Sequence, residues 1–298
     1  QRTGIESRRI ASAEESVVDM AIGAAEQALS RAKLTIKDID SVIVATITYP
    51  HQAPSAATAI IQRMGNPTAA AFDIGAACAG FCYGVAMAHD FVRAGSSKKV
   101  LVIGVEKISD FTDPTDRATA FIFADGAGAV IIGESDDAGI GPVEWGSDSE
   151  NRDAILMNPS WIDVRDTQTQ LSKADVKWPN ITQEGQKVFR WAVFSMSKAA
   201  LKALDSAGLS VNDLDAFIPH QANVRIIETM AKEMKLPGSV VIADDIRTNG
   251  NTSAASIPLA MDALLLKHPE LHGKLALLIG YGAGLVFAGQ VVKLPPKP

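Results

Sequence analysis

The sequence is poor in cysteine, with two in 298 residues, and poor in tyrosine, with three. Cys78 and Cys82 stand four apart in one helical pattern, so neither a disulfide framework nor a zinc-type ligand spacing is available. No apolar run nears the roughly 20 residues that a membrane-spanning helix needs, and no charged-then-apolar leader precedes a cleavage site. A cytoplasmic protein is expected, with no membrane partner. Positive charge is also in deficit: 28 Lys and Arg face 34 Asp and Glu, giving a formal charge of −6 and a pI near 5.4. That balance argues against a general nucleic-acid binder while permitting a local basic patch on an acidic body.

What is present is ordinary globular material, 47% hydrophobic and 21% charged, enough for one large domain or two fused halves. Apolar runs at 41–47 (SVIVATI), 99–105 (KVLVIGV), 215–219 (DAFIP) and 274–280 (KLALLIG) alternate with helical patterns. Such alternation predicts a layered α/β architecture with buried sheets. Gly95 and Gly208 follow helical stretches as stop signals.

An internal echo at an offset of 175 residues sets ALSRAKLTIKDIDSVI (28–43) against ALDSAGLSVNDLDAFI (203–218). A second sets DGAGAVIIGE (125–134) against YGAGLVFAGQ (281–290). Two echoes in the same order predict a duplicated αβ module: an N-terminal half at 1–145, an irregular connection at 146–183, and a C-terminal half at 184–298. The connection is polar, as expected of a lid, binding loop or interface arm. Beyond it, Phe189, Val193, Met196, Ala200 and Leu204 recur at helical spacing as a packing stripe.

In GAACAGF (75–81), Cys78 follows the strand-like AAAFDI and precedes an amphipathic helix with Phe81, Val85 and Val92 inward. A helix N-terminus favours a thiolate, and the small neighbours leave room for a substrate. A buried inert thiol competes evenly with this reading, and for Cys82, one turn deeper, it prevails. Of the five histidines, His89, His268 and His272 read as surface residues and His51 is undetermined. His220 in DAFIPHQANVRII stands at the carboxyl end of a strand, where open α/β sheets place ligands. Asn251, in RTNGNTSAAS, offers either an amide donor or a turn residue. Duplication allows strand ends of both halves to meet in one cleft, which would bring Cys78, His220 and Asn251 together.

The segments DIGAACAGF, DPTDRATAFIFADGAGAV, PHQANVRI, GNTSAASIPLAM and LLIGYGAGLVFAGQVV together resemble the β-ketoacyl-acyl carrier protein synthase III enzymes of the thiolase superfamily, in an actinobacterial pattern. The resemblance runs the length of the chain. It implies a five-layer αβαβα thiolase fold, a homodimer, and a decarboxylative Claisen condensation of an acyl-CoA primer with malonyl-acyl carrier protein, with no cofactor and no metal. It implies Cys78 as nucleophile, His220 and Asn251 as donors to the malonyl thioester oxygen, and the backbone amides of Cys78 and Ala283 as oxyanion hole. Arg2, Arg117, Arg225 and Asn223 would contact coenzyme A, guanidinium groups being suited to phosphate. Arg190, Arg225 and Lys232 would dock the acidic carrier protein, with Glu233 where some relatives carry a second lysine. Ala53 stands where some relatives place a phenylalanine closing the partner subunit's acyl pocket, so a longer or branched primer is expected. Relatives also carry a segment ahead of QRTGIESRRI that holds a first strand and often a tryptophan for the adenine.

Within the superfamily, a polyketide starter-unit synthase and a carrier-dependent acyltransferase share these motifs. A papain-type hydrolase shares only the order Cys78, His220, Asn251 and lacks the C-G-S-C-W signature. A dinucleotide site at GYGAG (280–284) is disfavoured, because LVFAGQVVKL reads as a strand and leaves no helix for a pyrophosphate. A non-catalytic subunit would not need the complete Cys, His and Asn set.

Overall fold

The structure, a computed structural model, describes residues 3–168 and 177–298; Arg2 lies outside them. The first half contributes β1 (Ser41–Ala45), β2 (Ala70–Ile74), β3 (Lys99–Glu106) and β4 (Gly126–Gly133), ordered β2-β1-β3-β4 in one sheet. Next come β5 (Glu144–Ser147), an antiparallel pair of β6 (Ile155–Asn158) and β7 (Asn180–Gln183), then β8 (Ala216–Pro219), β9 (Val241–Ile242), β10 (Leu275–Gly282) and β11 (Val286–Lys293). The second sheet is ordered β5-β11-β10-β8-β9. In both sheets the central strands run parallel and a β-hairpin adds the antiparallel strand, β3 to β4 and β10 to β11. The four apolar runs of the sequence are β1, β3, β8 and β10.

The helices are α1 (Val17–Ala32), α2 (Ala56–Met64), α3 (Gly80–Ala94), α4 (Trp161–Gln168), α5 (Gly185–Ser206), α6 (Val224–Glu233), α7 (Ile246–Asn249) and α8 (Ser256–Lys267). Side chains alternate across each strand, which sorts the core into layers. Val42, Val44, Leu101 and Ile103 face α1 and α2, whereas Ile43, Val100 and Val102 face α3. Across the second sheet, Leu277 and Ile279 face α5, and Ala276 and Leu278 face α3 and α8. The result is helices, sheet, helices, sheet, helices: the five layers expected from the resemblance. Among the described residues no helix is long and apolar enough to cross a membrane.

Local signals agree with this packing. Ser16 and Asp19 form a capping box at the start of α1. Gly95 closes α3 with a φ of 75°, a left-handed cap that a side chain would strain. Two expectations need correction. The polar composition of 146–183 predicts irregular chain, yet β6, β7 and α4 form there, and β5 already belongs to the second sheet at 144. Polar residues suit these elements because each has an exposed face. The run AAAFDI, read as buried, is instead a half-buried edge strand, since β1 pairs with only one side of β2.

Candidate active site

Cys78 lies in a 3-10 turn (Ala77–Ala79) between β2 and α3. Ala77 enters that turn at φ 44°, a left-handed angle that costs a non-glycine residue on the order of 1 kcal/mol and that clusters at functional sites. Opposite it is the end of β10. A Cβ on Gly282 would stand 2.8 Å from the Cβ of Cys78 and 3.1 Å from its Sγ, so only glycine lets that strand close over the thiol.

His220 immediately follows β8, its backbone N–H donating to the carbonyl of Ile279 at 2.8 Å. Its Nδ1 lies 2.7 Å from the hydroxyl of Ser256, the first residue of α8. Because the Ser256 oxygen accepts from the Gln221 amide, its proton is free to go to Nδ1. The tautomer in which the Ser256 hydroxyl donates to Nδ1 carries the imidazole proton on Nε2. Burial pushes the His220 pKa down to about 3, so the ring is neutral near pH 7.

Asn251 is reached from both halves. It bridges Phe123, its carbonyl accepting from Ala124 at 2.9 Å and its N–H donating to Ile122 at 3.0 Å. The side-chain oxygen accepts from the Ser253 amide at 2.9 Å, which leaves Nδ2 as the end available to a ligand.

Cys78, His220 and Asn251 line one cavity of about 610 Å³, within the range of small-molecule sites. They are 8%, 2% and 5% exposed, so water has little access to them. Ala283, Arg190, Asn223 and Arg225 line the same cavity, the arginines with exposed side chains. Asn223 also caps α6 through its Oδ1. Lys232 is exposed two turns along α6 from Arg225 and lies outside the lining. Arg117 is exposed next to Ala118, which does line the cavity. Ala53 is exposed in the loop before α2, away from this cavity.

Desolvation works against the thiolate that the helix N-terminus favours at Cys78. Burial pushes the thiol up to about 12, outweighing the opposing effect of the Ser253 hydroxyl, whose Oγ lies 3.3 Å from Cys78 Sγ and which lowers it when donating to the thiolate. Burial therefore favours the protonated thiol near neutral pH. Behind it lies a polar network not anticipated from the sequence. Ser253, in its own left-handed turn at φ 51°, donates its hydroxyl to Glu106 at 3.2 Å. Glu106, the last residue of β3, is wholly buried and also accepts from Thr48 Oγ1 at 2.6 Å, Thr46 Oγ1 at 3.1 Å and the Ile47 amide at 3.1 Å. A carboxylate closing an otherwise apolar strand was the available signal. Tyr281 is also new to the site: its ring meets that of His220 edge-on at 5.2 Å, and its buried hydroxyl has no hydrogen-bond partner among the described residues.

Comparison with known proteins follows the same geometry. The 3-oxoacyl-[acyl-carrier-protein] synthase III family profile matches residues 72–149, and that family's C-terminal profile matches residues 204–294. A β-ketoacyl-[acyl-carrier-protein] synthase III of Streptomyces coelicolor is 53% identical, the alignment covering 99% of this chain and 87% of the relative. The mycobacterial β-ketoacyl-[acyl-carrier-protein] synthase III of Mycobacterium avium is 48% identical, with 99% and 86% covered. Among solved structures, the priming β-ketosynthase of the R1128 polyketide biosynthetic pathway superposes with a TM-score of 0.94 at 43% identity, covering 100% of this chain and 87% of the other. A 3-oxoacyl-(acyl carrier protein) synthase III of Pseudomonas aeruginosa superposes with a TM-score of 0.88 at 34% identity, covering 100% and 89%.

Proposed function

The chain belongs to the β-ketoacyl-[acyl-carrier-protein] synthase III family, and from that membership we propose that it joins an acyl-CoA primer to malonyl-acyl carrier protein, releasing carbon dioxide and a 3-ketoacyl-carrier product. The observation that carries this is the convergence of a thiol, an imidazole and a carboxamide from different loops on one nearly dry cavity.

Cys78 takes the acyl group from coenzyme A, and the tetrahedral oxyanion sits on the backbone amides of Cys78 and Ala283. The malonyl thioester then loses carbon dioxide, so no strong base is needed to form the carbanion. The enolate oxygen is held by Nε2–H of neutral His220 and Nδ2–H of Asn251, donors already oriented by Ser256 and by the Ser253 amide. Preorganised donors of this kind contribute most where charge develops in the transition state. A neutral His220 suits the role better than a charged one, since it gives a hydrogen bond without needing to gain a proton.

Arg225 and Asn223, which line the cavity, with Arg117 next to its lining and with Arg2, bind the coenzyme A phosphates. Arg190, Arg225 and Lys232 form the local basic patch that an acidic carrier protein meets on an otherwise acidic molecule. The working unit is a homodimer in which Ala53 borders the partner's acyl pocket and leaves room for long or branched primers. Such a reaction, drawing on coenzyme A thioesters, belongs in the cytoplasm. The likeness to a polyketide priming ketosynthase favours a second reading, in which the same condensation starts a polyketide chain.

Incubation with acetyl-, isobutyryl- and longer acyl-CoA primers plus malonyl-carrier protein, read by product mass with Cys78→Ser as control, tests the proposal. A carrier-bound product extended by two carbons is expected. Transfer without a new carbon–carbon bond, or release of free acid, would overturn it, and turnover of acetyl-CoA alone would overturn the wide-pocket assignment.

A further inference from the structure

Wherever a buried thiol must become a nucleophile, its proton needs a destination. His220 is engaged through Nδ1 by Ser256, and in the tautomer with Ser256 donating it presents a proton, not a lone pair, from Nε2. Among the described residues the side-chain acceptor for the Cys78 Sγ–H is Ser253 Oγ, and the Ser253 hydroxyl donates in turn to Glu106. We propose that Glu106, acting through Ser253, accepts the Cys78 proton as the acyl group arrives and hands it back when the acyl group leaves.

Atoms and charges balance over both half-reactions. In the first, the Sγ–H bond breaks as sulfur attacks the thioester carbon. The proton passes to Ser253 Oγ, the Ser253 proton passes to Glu106 Oε1, and coenzyme A departs as its thiolate to be protonated by solvent. The acyl-enzyme thus carries a neutral Glu106 when the malonyl group, an anion, enters. In the second, the enolate left by decarboxylation attacks the acyl carbon and the Cys78 thiolate is expelled. It recovers a proton from Ser253, which is replenished by Glu106. Removing one negative charge from the site before an anion must bind is a consequence that a purely structural carboxylate would not supply.

Several features fit a carboxylate that changes its protonation. Burial raises the Glu106 pKa to about 7, within the range useful to a base at neutral pH, while four hydrogen-bond donors steady its charged form. Its titratable neighbour across Ser253 is Cys78, whose pKa the carboxylate raises further. Adjacent Lys107 turns its ammonium to the carbonyls of Ser12 and Glu15, away from the carboxylate. Ser253, held at φ 51°, is fixed by its backbone between the two groups.

This proposal rests on the synthase reaction, so its test has one arm that does not. Single-turnover release of coenzyme A from an acyl-CoA primer is measured across a pH range spanning 7 in the wild type, Glu106→Gln and Ser253→Gly. Glycine accepts the left-handed turn more readily than serine, so the second variant isolates the hydroxyl. Release is expected to slow about 100-fold in both, with primer KM unchanged, and the wild-type inflection near 7 is expected to vanish. In the independent arm, alkylation of Cys78 by iodoacetamide, followed by mass, loses the same inflection in both variants. If the wild type releases no coenzyme A from any primer, the synthase assignment falls while the alkylation profile still decides the relay. Retention of the inflection in either variant, or wild-type rates in Ser253→Gly with loss only in Glu106→Gln, overturns the relay.

Discussion

The two halves share a frame and divide the chemistry. In one constant offset, Ala77 matches Ser253, Gly80 matches Ser256, and Lys99 matches Leu275, so the left-handed turn before α3 recurs before α8. At matching positions the side chains diverge. Cys78 in the first half faces Ala254 in the second, and Glu106 at the end of β3 is matched by Gly282 at the end of β10. The consequence is reciprocal: Gly282 leaves the gap that Cys78 fills, and Glu106 supplies the acceptor that Ser253 requires. At the ends of β1 and β8, Ala45 is replaced by His220. Duplication supplied two equal turns: one carries the thiol and the other its polar surroundings. The sheets differ as well: among the described residues β11 is flanked by β5, while β4 has no strand on its outer side.

Removing the thiol erases the chief difference between the halves. Cys78→Ala is expected to abolish acyl-enzyme formation and condensation, a loss of at least about 1,000-fold read as coenzyme A release and product mass. Altering the second half alone should separate the two steps. His220→Ala and Asn251→Ala are each expected to lower condensation about 100-fold while Cys78 is still acylated by primer, seen as an acyl adduct in the intact mass. Equal loss of both steps would break the division of labour.

Gly282→Ala tests the packing between halves. With a Cβ 2.8 Å from that of Cys78, the variant should lose about 1 to 3 kcal/mol in urea unfolding and acylate slowly. The acid and base limits of stability separate the halves again. Glu106 has its folded pKa raised from 4.5 to about 7, so the folded state binds the extra proton and stability attributable to it declines as pH rises from about 4.5 to about 7. His220 is depressed from 6.5 to about 3, so the unfolded state binds the extra proton and stability declines as pH falls through that window. Urea midpoints against pH should lose the first slope in Glu106→Gln and the second in His220→Gln. The smallest effect is expected at the rim, where Arg190→Glu and Arg225→Glu should raise KM for malonyl-carrier protein about tenfold, less so at high salt.

Much of this was legible in the sequence. The continuous apolar runs marked β1, β3, β8 and β10, and the echoes marked the duplication, because a buried face imposes its composition wherever it recurs. Cys78, His220 and Asn251 were visible as reactive residue types at turns that follow strands or precede helices. Gln221 was not, although it pins β8 to α7 by donating to the Pro219 carbonyl at 2.8 Å and accepting from the Ile246 amide at 3.1 Å. Ser253 and Glu106 escaped as well, since their link spans 147 residues and only the packed halves bring them together. The region 146–183 was misjudged because α4 and the pair of β6 and β7 are one-sided elements whose exposed faces carry the polar residues.

By itself the sequence determined the layered frame, its doubling and the kinds of side chain brought to the turns. Only the tertiary structure decided which of those groups are charged. A helix N-terminus acts locally and argues for a thiolate at Cys78, whereas the loss of water that keeps the thiol protonated and His220 neutral arises from atoms of both halves closing around them. Desolvation belongs to no segment of the chain, and so it could be read only after the halves were packed together.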